Sequence, residues 1–254
     1  MHRFYLPPNQ CRDATLELTA DEAHHALRVL RIQTGERVTV LDGAGNEFIC
    51  EVREATKRSV TLAVLHKNSS PPLPCQITLL QAVPKAKAMD YIVQKATELG
   101  AARVVPILSE RTVVHLEGED ANDKAEKWQQ IAIESIKQCG SPWLTKIEAP
   151  VTLKTYLARH EKFELPLIAS LQDDSRHPRQ FIQHFRDEHK RLPATAGVWI
   201  GPEGDFSPAE MNTIKTEGAL PITLGRLVLR SDTAAIYSVS VLNYELQGAG
   251  SPVH

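Results

Sequence analysis

The sequence lacks the marks of several protein classes. Its four cysteines (Cys11, Cys50, Cys75, Cys139) are widely spaced, and no C-x-x-C pair occurs. That excludes a zinc knuckle and a dense disulfide framework. No stretch approaches the roughly 18 apolar residues of a membrane span, and Met1-His-Arg-Phe-Tyr-Leu-Pro-Pro8 has no apolar signal region. The expectation is a reduced, cytoplasmic protein with no membrane partner. There is no H-x-x-x-H or H-E-x-x-H, and the adjacent His24 and His25 point in different directions, so no metal is expected. No G-x-S-x-G elbow supports a serine hydrolase. Internal repeats are missing too. Excess positive charge is absent: 29 Lys+Arg against 31 Asp+Glu leave a net charge of −2. Coating nucleic acid by bulk charge is excluded, and a local basic face is not.

What is present fits a globular chain of 254 residues, 42% apolar and 24% charged, long enough to bury a core. Its character changes near residue 70. Before that, Arg37–Leu41 alternates, Asp42-Gly-Ala-Gly-Asn46 turns, and Glu47–Arg53 resumes, which is a hairpin pattern. Val40–Gly45 opens no helix, so its glycines read as turn residues and not as a phosphate loop. Ser59–Leu65 is a further strand. Thr19-Ala-Asp-Glu22 reads as a capping box opening one helix, with Gly35 beyond its end. The reading is a small β-barrel or sandwich with one helix over 1–70. His66–Pro74 reads as a semi-rigid linker.

From residue 75 to 248 strands and helices alternate. Apolar runs at Gln76–Val83, Arg103–Leu108, Leu165–Leu171, Ala196–Ile200 and Pro221–Leu224 read as strands. Helical spacing covers Ala88–Leu99, 122–139, 152–159, 178–190, 208–217 and 232–247, with Gly100 and Gly140 as stops. The alternation predicts an α/β domain, a parallel sheet with helices on both faces.

Two loops stand out. The strand ending at Ile200 runs into Gly201-Pro-Glu-Gly204, and Ser207-Pro-Ala-Glu210 then opens a helix with a capping box and proline in its first turn. The second, Gly225-Arg-Leu-Val-Leu-Arg230, leads into a helix opened by Ser231-Asp-Thr-Ala-Ala235. In open α/β sheets ligands bind beyond the carboxyl ends of strands, where both loops lie. Arg230 beside a helix N-terminus suits an anionic group. Alternatively, it pairs with Glu203 or Asp232 and only ties loops together. The last helix is apolar on most faces and is either central or at a subunit interface. His24, Arg28 and Arg31 are spaced to share one helix face, which reads as a phosphate-facing set or a solvated one.

Taken together, Ile-Gly-Pro-Glu-Gly at 200–204 and Leu-Gly…Val-Leu-Arg at 224–230 leading into Asp-Thr-Ala resemble the SPOUT (α/β-knot) methyltransferases. Arg-Val-Leu-Arg at 28–31, Lys-Ala-Thr-Glu-Leu-Gly at 95–100 and Ser-Glu-Arg at 109–111 bring the resemblance to the RsmE family over nearly the whole chain. That family methylates N3 of a uridine in small-subunit (16S) ribosomal RNA. The resemblance implies a PUA-like β domain and a C-terminal domain with a deep trefoil knot. It also implies a homodimer, S-adenosylmethionine as cofactor, and ribosomal RNA, within the 30S particle, as partner. Carried over by position, the cofactor residues are Leu171, Ile200, Gly201, Pro202, Glu203, Gly204, Leu224, Gly225, Leu227, Leu229 and Thr233. The chain departs from the family pattern at Asp205, where glycine is common, and at Arg226, displaced by one position. Ser141-Pro142 also follows Gly140 where the family often has arginine.

The expected chemistry is attack of uracil N3 on an electrophilic methyl. Arg230 stabilises the negative charge on the base, and Glu203 acts as base or orients Arg230. Arg3, Arg28 and Arg31, with Lys85, Lys87 and Arg111, are the expected RNA contacts. Rival readings are a knot-class enzyme acting on transfer RNA and a non-catalytic ribosome-assembly factor. A Rossmann dehydrogenase or class I methyltransferase lacks its strand–G-x-G-x-x-G–helix unit.

Overall fold

The computed structural model describes residues 1–56, 58–85, 88–112 and 119–248. It divides into two compact units, Met1–Pro72 with Ile133–Leu144, and Leu73–Ala132 with Thr145–His254.

The first unit is a five-stranded sheet of β1 (His2–Tyr5), β2 (Thr15–Leu18), β3 (Arg37–Leu41), β4 (Asn46–Ala55) and β5 (Val60–Ser69), in the order β1-β3-β4-β5-β2. Register shifts at Ile49/Cys50 and Val52/Glu54 skip Leu65 of β5 and Arg53 of β4, irregularities of the kind that bend a sheet. Phe4, Leu16, Leu18, Val38, Val40, Val52, Val60 and Leu62 form the core, each fully buried side chain contributing about 1.5–3 kcal/mol. The β3–β4 turn is held by Asp42, whose carboxylate accepts the Ala44 and Asn46 N–H groups at 2.8 and 2.9 Å.

Three expectations are corrected in this unit. His66–Ser69 is strand, not linker: its backbone pairs with Asn46–Ile49, and Ser69 Oγ donates to Asn46 Oδ1 at 2.7 Å. Composition there describes the outward side chains and says nothing of the ladder. Secondly, Thr19 precedes helix α1 (Ala20–His24) without a side-chain capping bond. Glu22 instead accepts from the buried Lys137 ammonium at 2.8 Å, so a tertiary ion pair takes the carboxylate from its local role. Thirdly, the helix continues as a π-helical segment, His25–Leu30, and Arg31 stops it in the left-handed region at φ 53°. The wider turn breaks the spacing of four and seven residues, so His24, Arg28 and Arg31 do not form one helical face.

The second unit is built on a parallel sheet of β6 (Gln76–Ala82), β7 (Arg103–Leu108), β8 (Lys146–Ile147), β9 (Val151–Thr152), β10 (Leu165–Ala169), β11 (Thr195–Ile200) and β12 (Leu220–Ile222). The order is β12-β10-β11-β6-β7-β8, with β9 also pairing β7. The helices are α2 (Ala88–Glu98), α3 (Glu119–Cys139, counted with the first unit from Ile133 on), α4 (Leu153–Leu157), α5 (Pro178–His189), α6 (Pro208–Thr216) and α7 (Ser231–Leu246). On one face Leu80, Val105, Ile107, Ile168 and Trp199 pack against Leu153 and Tyr156 of α4 and Met211 and Ile214 of α6. On the other face lies Gln81, one residue out of phase with Leu80, hydrogen-bonded to Ser231 of α7. Helices therefore cover both faces, as the alternating pattern predicts. The chain leaves β6 for β7 on one side and returns to place β10, β11 and β12 on the other, so the order reverses beside β6. Among the described residues no helix is long and apolar enough to cross a membrane.

Candidate cofactor cleft

Three consecutive sheet neighbours, β12, β10 and β11, send their carboxyl ends to the same place. The loops that follow enclose a cleft of about 670 Å³. Its walls are Ser170–Asp173 and Ser175 after β10, Gly201–Glu203 and Asp205 after β11, and Thr223–Arg230 after β12. Ala169 and Ile200, the last residues of their strands, and Ser231 and Ala234 of α7 also line it.

Each loop is pinned by polar side chains, the one after β12 locally, where Thr223 Oγ1 accepts the Gly225 N–H at 3.2 Å. Lys215 of α6 donates to Gln172 Oε1 at 2.6 Å and Asp174 Oδ2 at 2.8 Å, fastening the loop after β10. The loop after β11 is held at four points. Ser231 Oγ donates to the Gly201 carbonyl at 2.6 Å and accepts from the fully buried Gln81 Nε2 at 2.9 Å. Glu203 Oε1 accepts the Lys85 N–H at 3.0 Å. Arg111 Nη1 donates to the Gly204 carbonyl. Ser207 and Glu210 form the expected capping box, and Glu210 also accepts the Glu110 N–H at 2.8 Å. The loop after β12 turns at Gly225, whose φ of +115° suits glycine alone.

The cleft gathers most of the sequence-predicted cofactor residues: Leu171, Ile200, Gly201, Pro202, Glu203, Leu224, Gly225, Leu227 and Leu229 line it, together with Arg230. Gly204 and Thr233 are not among its lining residues. Gly204 turns its carbonyl to Arg111, and the Thr233 N–H and hydroxyl bond to Asp232 Oδ1. Arg230 is exposed and precedes α7; it forms no ion pair with Glu203 or Asp232. Val228 and Ser231, inside the two stretches singled out from the sequence, line the cleft as well, whereas Ser170, Ser175 and Thr223 do so without having been named there. Their only signal was position, immediately beyond the apolar run of a strand or just before a helix.

Asp205 occupies the left-handed region at φ 59°, which explains why an aspartate can stand where glycine is usual. Its Oδ1 accepts the Phe206 N–H at 2.8 Å and lies 2.7 Å from where a Cβ on Gly201 would sit. Burial pushes this carboxyl above its ordinary range, against the opposing pull of the Phe206 N–H and Arg111.

The expected RNA contacts are placed differently. Arg28 and Arg31 are exposed, and neither side chain forms an ion pair among the described residues. Arg3 has a structural role: its guanidinium bonds the Lys137 and Gln138 carbonyls at 3.4 and 3.2 Å, beside Gly140. Any Cβ at Gly140 would meet that guanidinium at 3.0 Å. Lys85 is exposed next to the loop after β11, whereas Lys87 lies outside the described residues.

The RNA methyltransferase domain family matches residues 71–243, and the RNA methyltransferase PUA domain family matches 18–65. Ribosomal RNA small subunit methyltransferase E of Aquifex aeolicus is 34% identical over 245 residues, covering 95% of this chain and 99% of that protein. The chain belongs to the RsmE family. Among solved structures, a Legionella pneumophila putative methyltransferase in complex with S-adenosylmethionine superposes with a TM-score of 0.84 at 32% identity, covering 95% of this chain and 96% of that one. Ribosomal RNA small subunit methyltransferase E from Neisseria gonorrhoeae, bound to S-adenosyl methionine, gives 0.82 at 26% identity, with 96% and 97% covered. RsmE membership accounts for a PUA domain ahead of a parallel-sheet methyltransferase domain.

Proposed function

We propose that this chain transfers the methyl group of S-adenosylmethionine to N3 of a uridine in small-subunit ribosomal RNA, in the cytoplasm. The observation that carries the reading is the cleft, formed by three pinned loops at a reversal of strand order, with an exposed arginine at its rim. Its residues fit the cofactor. The volume suits a nucleoside-sized molecule, and Leu171, Leu227 and Val228 are 66%, 76% and 78% exposed beside it. These apolar side chains await a cover, and a purine and its thioether chain supply one. The glycine at 225 leaves backbone accessible at the mouth.

When bound, the cofactor supplies a methyl group on a positively charged sulfur. The chain's part is to position the base and to stabilise the charge formed when N3 loses its proton. Arg230, exposed and without an ion pair among the described residues, is suited to the second of these roles. Its guanidinium donates to an anion spread over N3, O2 and O4. Glu203 has one oxygen committed to the Lys85 N–H, leaving the other to orient Arg230 or accept the N3 proton. The exposed Arg28 and Arg31 contact phosphates and set the register of the RNA.

The reading includes a homodimer and a knotted C-terminal chain. On α7, Tyr237, Val241 and Tyr244 recur along one side, with Tyr244 82% exposed, and this stripe suits a second copy. The test is transfer of label from S-adenosylmethionine to small subunits, naked ribosomal RNA or transfer RNA, followed by mapping of the methyl. Label on N3 of one uridine in small-subunit RNA is expected. Label confined to transfer RNA overturns the substrate; no transfer and no cofactor binding favours a ribosome-assembly factor.

A further inference from the structure

The cleft holds an acid placed unlike its others. Among the described residues, five charged ones line it: Asp173, Glu203, Asp205, Arg226 and Arg230. Asp173 and Glu203 are exposed, so solvent and salt screen them. Asp205 is partly buried, and its backbone is locked in a left-handed turn closed by the Asp205 N–H to Pro202 carbonyl bond at 2.9 Å. One carboxylate oxygen is committed to the Phe206 N–H. Among the described residues no ion pair within 4.0 Å neutralises it; the nearby Arg111 is bonded to the Gly204 carbonyl. A partly desolvated, fixed and unpaired carboxylate in a cleft attracts a cation far more strongly than an exposed one.

Methyl transfer changes charge at one atom. The carbon–sulfur bond breaks, the electron pair stays on sulfur, and a cationic sulfonium becomes a neutral thioether. The methyl carbon bonds N3, whose proton is released. The two ligands otherwise carry the same amino-acid and nucleoside groups.

We propose that Asp205 is a charge selector, the carboxylate that makes the cleft hold S-adenosylmethionine more tightly than S-adenosylhomocysteine and so favours product release. This rests on the cofactor reading above. It also gives a physical meaning to an aspartate at a position where the fold would accept glycine.

The test is calorimetric titration of wild type, Asp205→Asn and Asp205→Gly with each ligand. Asparagine tolerates the left-handed conformation and still accepts the Phe206 N–H; glycine fits the φ outright, so both variants keep the loop. The expected result is a loss of S-adenosylmethionine affinity of roughly tenfold in both, with S-adenosylhomocysteine changed by less than about twofold. In wild type, S-adenosylmethionine affinity should also fall as pH drops through the carboxylate range, and this dependence should vanish in Asp205→Asn. Asp187→Asn, which removes an exposed carboxylate of α5 outside the cleft lining, should shift neither ligand by more than about twofold. Equal losses for both ligands, or none for either, overturn the proposal. If wild type binds neither ligand, the cofactor reading itself fails, an outcome distinct from the other two.

Discussion

The π-helical turn of the first unit and the cleft of the second use charge in opposite ways. In the cleft, Lys215, Arg111 and Glu203 are committed to holding loops, and Arg230 at the rim has no ion pair among the described residues. At the turn, Arg28 and Arg31 are exposed without ion pairs among those residues, on a π-helical segment and its left-handed stop. A pocket that must align reacting atoms needs its walls fixed. A surface that follows a phosphate chain needs reach and tolerates freedom.

The largest effect that would sharpen this contrast is at Arg230. Arg230→Ala should lower kcat by about 10²–10³-fold while cofactor affinity stays within about threefold. Near-normal turnover would remove the arginine from the chemistry. Next, Gly225→Ala forces a side chain into a backbone region reserved for glycine and should cost about 1–3 kcal/mol, read as a lower Tm with weakened cofactor binding. On the other side of the comparison, Arg28→Glu with Arg31→Glu should weaken RNA binding and flatten its salt slope by about 0.7 per lost phosphate contact. Cofactor affinity should not move; unchanged RNA binding would show the turn to be merely solvated. Lys215→Ala frees the loop after β10 and should weaken cofactor binding only a few-fold, since the pin is a partly exposed pair.

The smallest expected effect is on stability at Asp205. Burial raises this carboxyl in the fold above its unfolded value. Such a group contributes fully below the unfolded range near pH 4 and loses its contribution as pH rises through the folded one. Asp205→Asn escapes that loss, so its Tm at neutral pH should lie slightly above wild type, with the gap closing in acid. A lower Tm at neutral pH would show the carboxylate to be stabilising.

Features set by local chemistry were legible in the sequence. The Asp42–Asn46 turn, the Ser207–Glu210 capping box and the alternating strands and helices follow from residues within a few positions of one another. The cleft was legible because glycine, proline and arginine mark loops at strand ends. Features decided by distant partners were not legible. Nothing near Glu22 announces Lys137, 115 residues away, as the partner that takes it from the cap. The π-helical turn keeps a helical composition while changing its pitch, so spacing arguments over His24–Arg31 mislead. Lys215 reads as an exposed lysine on a helix until the loop after β10 is placed beside it.

Residues 133–144 belong to the first unit, though about sixty residues of the second precede them in the chain. Within that unit Gly45 lies against the Trp143 indole, where a Cβ would meet ring atoms at 2.5 Å, and the Gly45 N–H bonds the Pro142 carbonyl at 2.9 Å. Arg3 and Glu22 find their partners in the same segment. The N-terminal module is therefore not portable. A gene fragment ending at residue 72 would leave Glu22 and Arg3 without partners and Gly45 uncovered. Recombination that shuffles such β modules between enzymes would have to carry two separate stretches of sequence together.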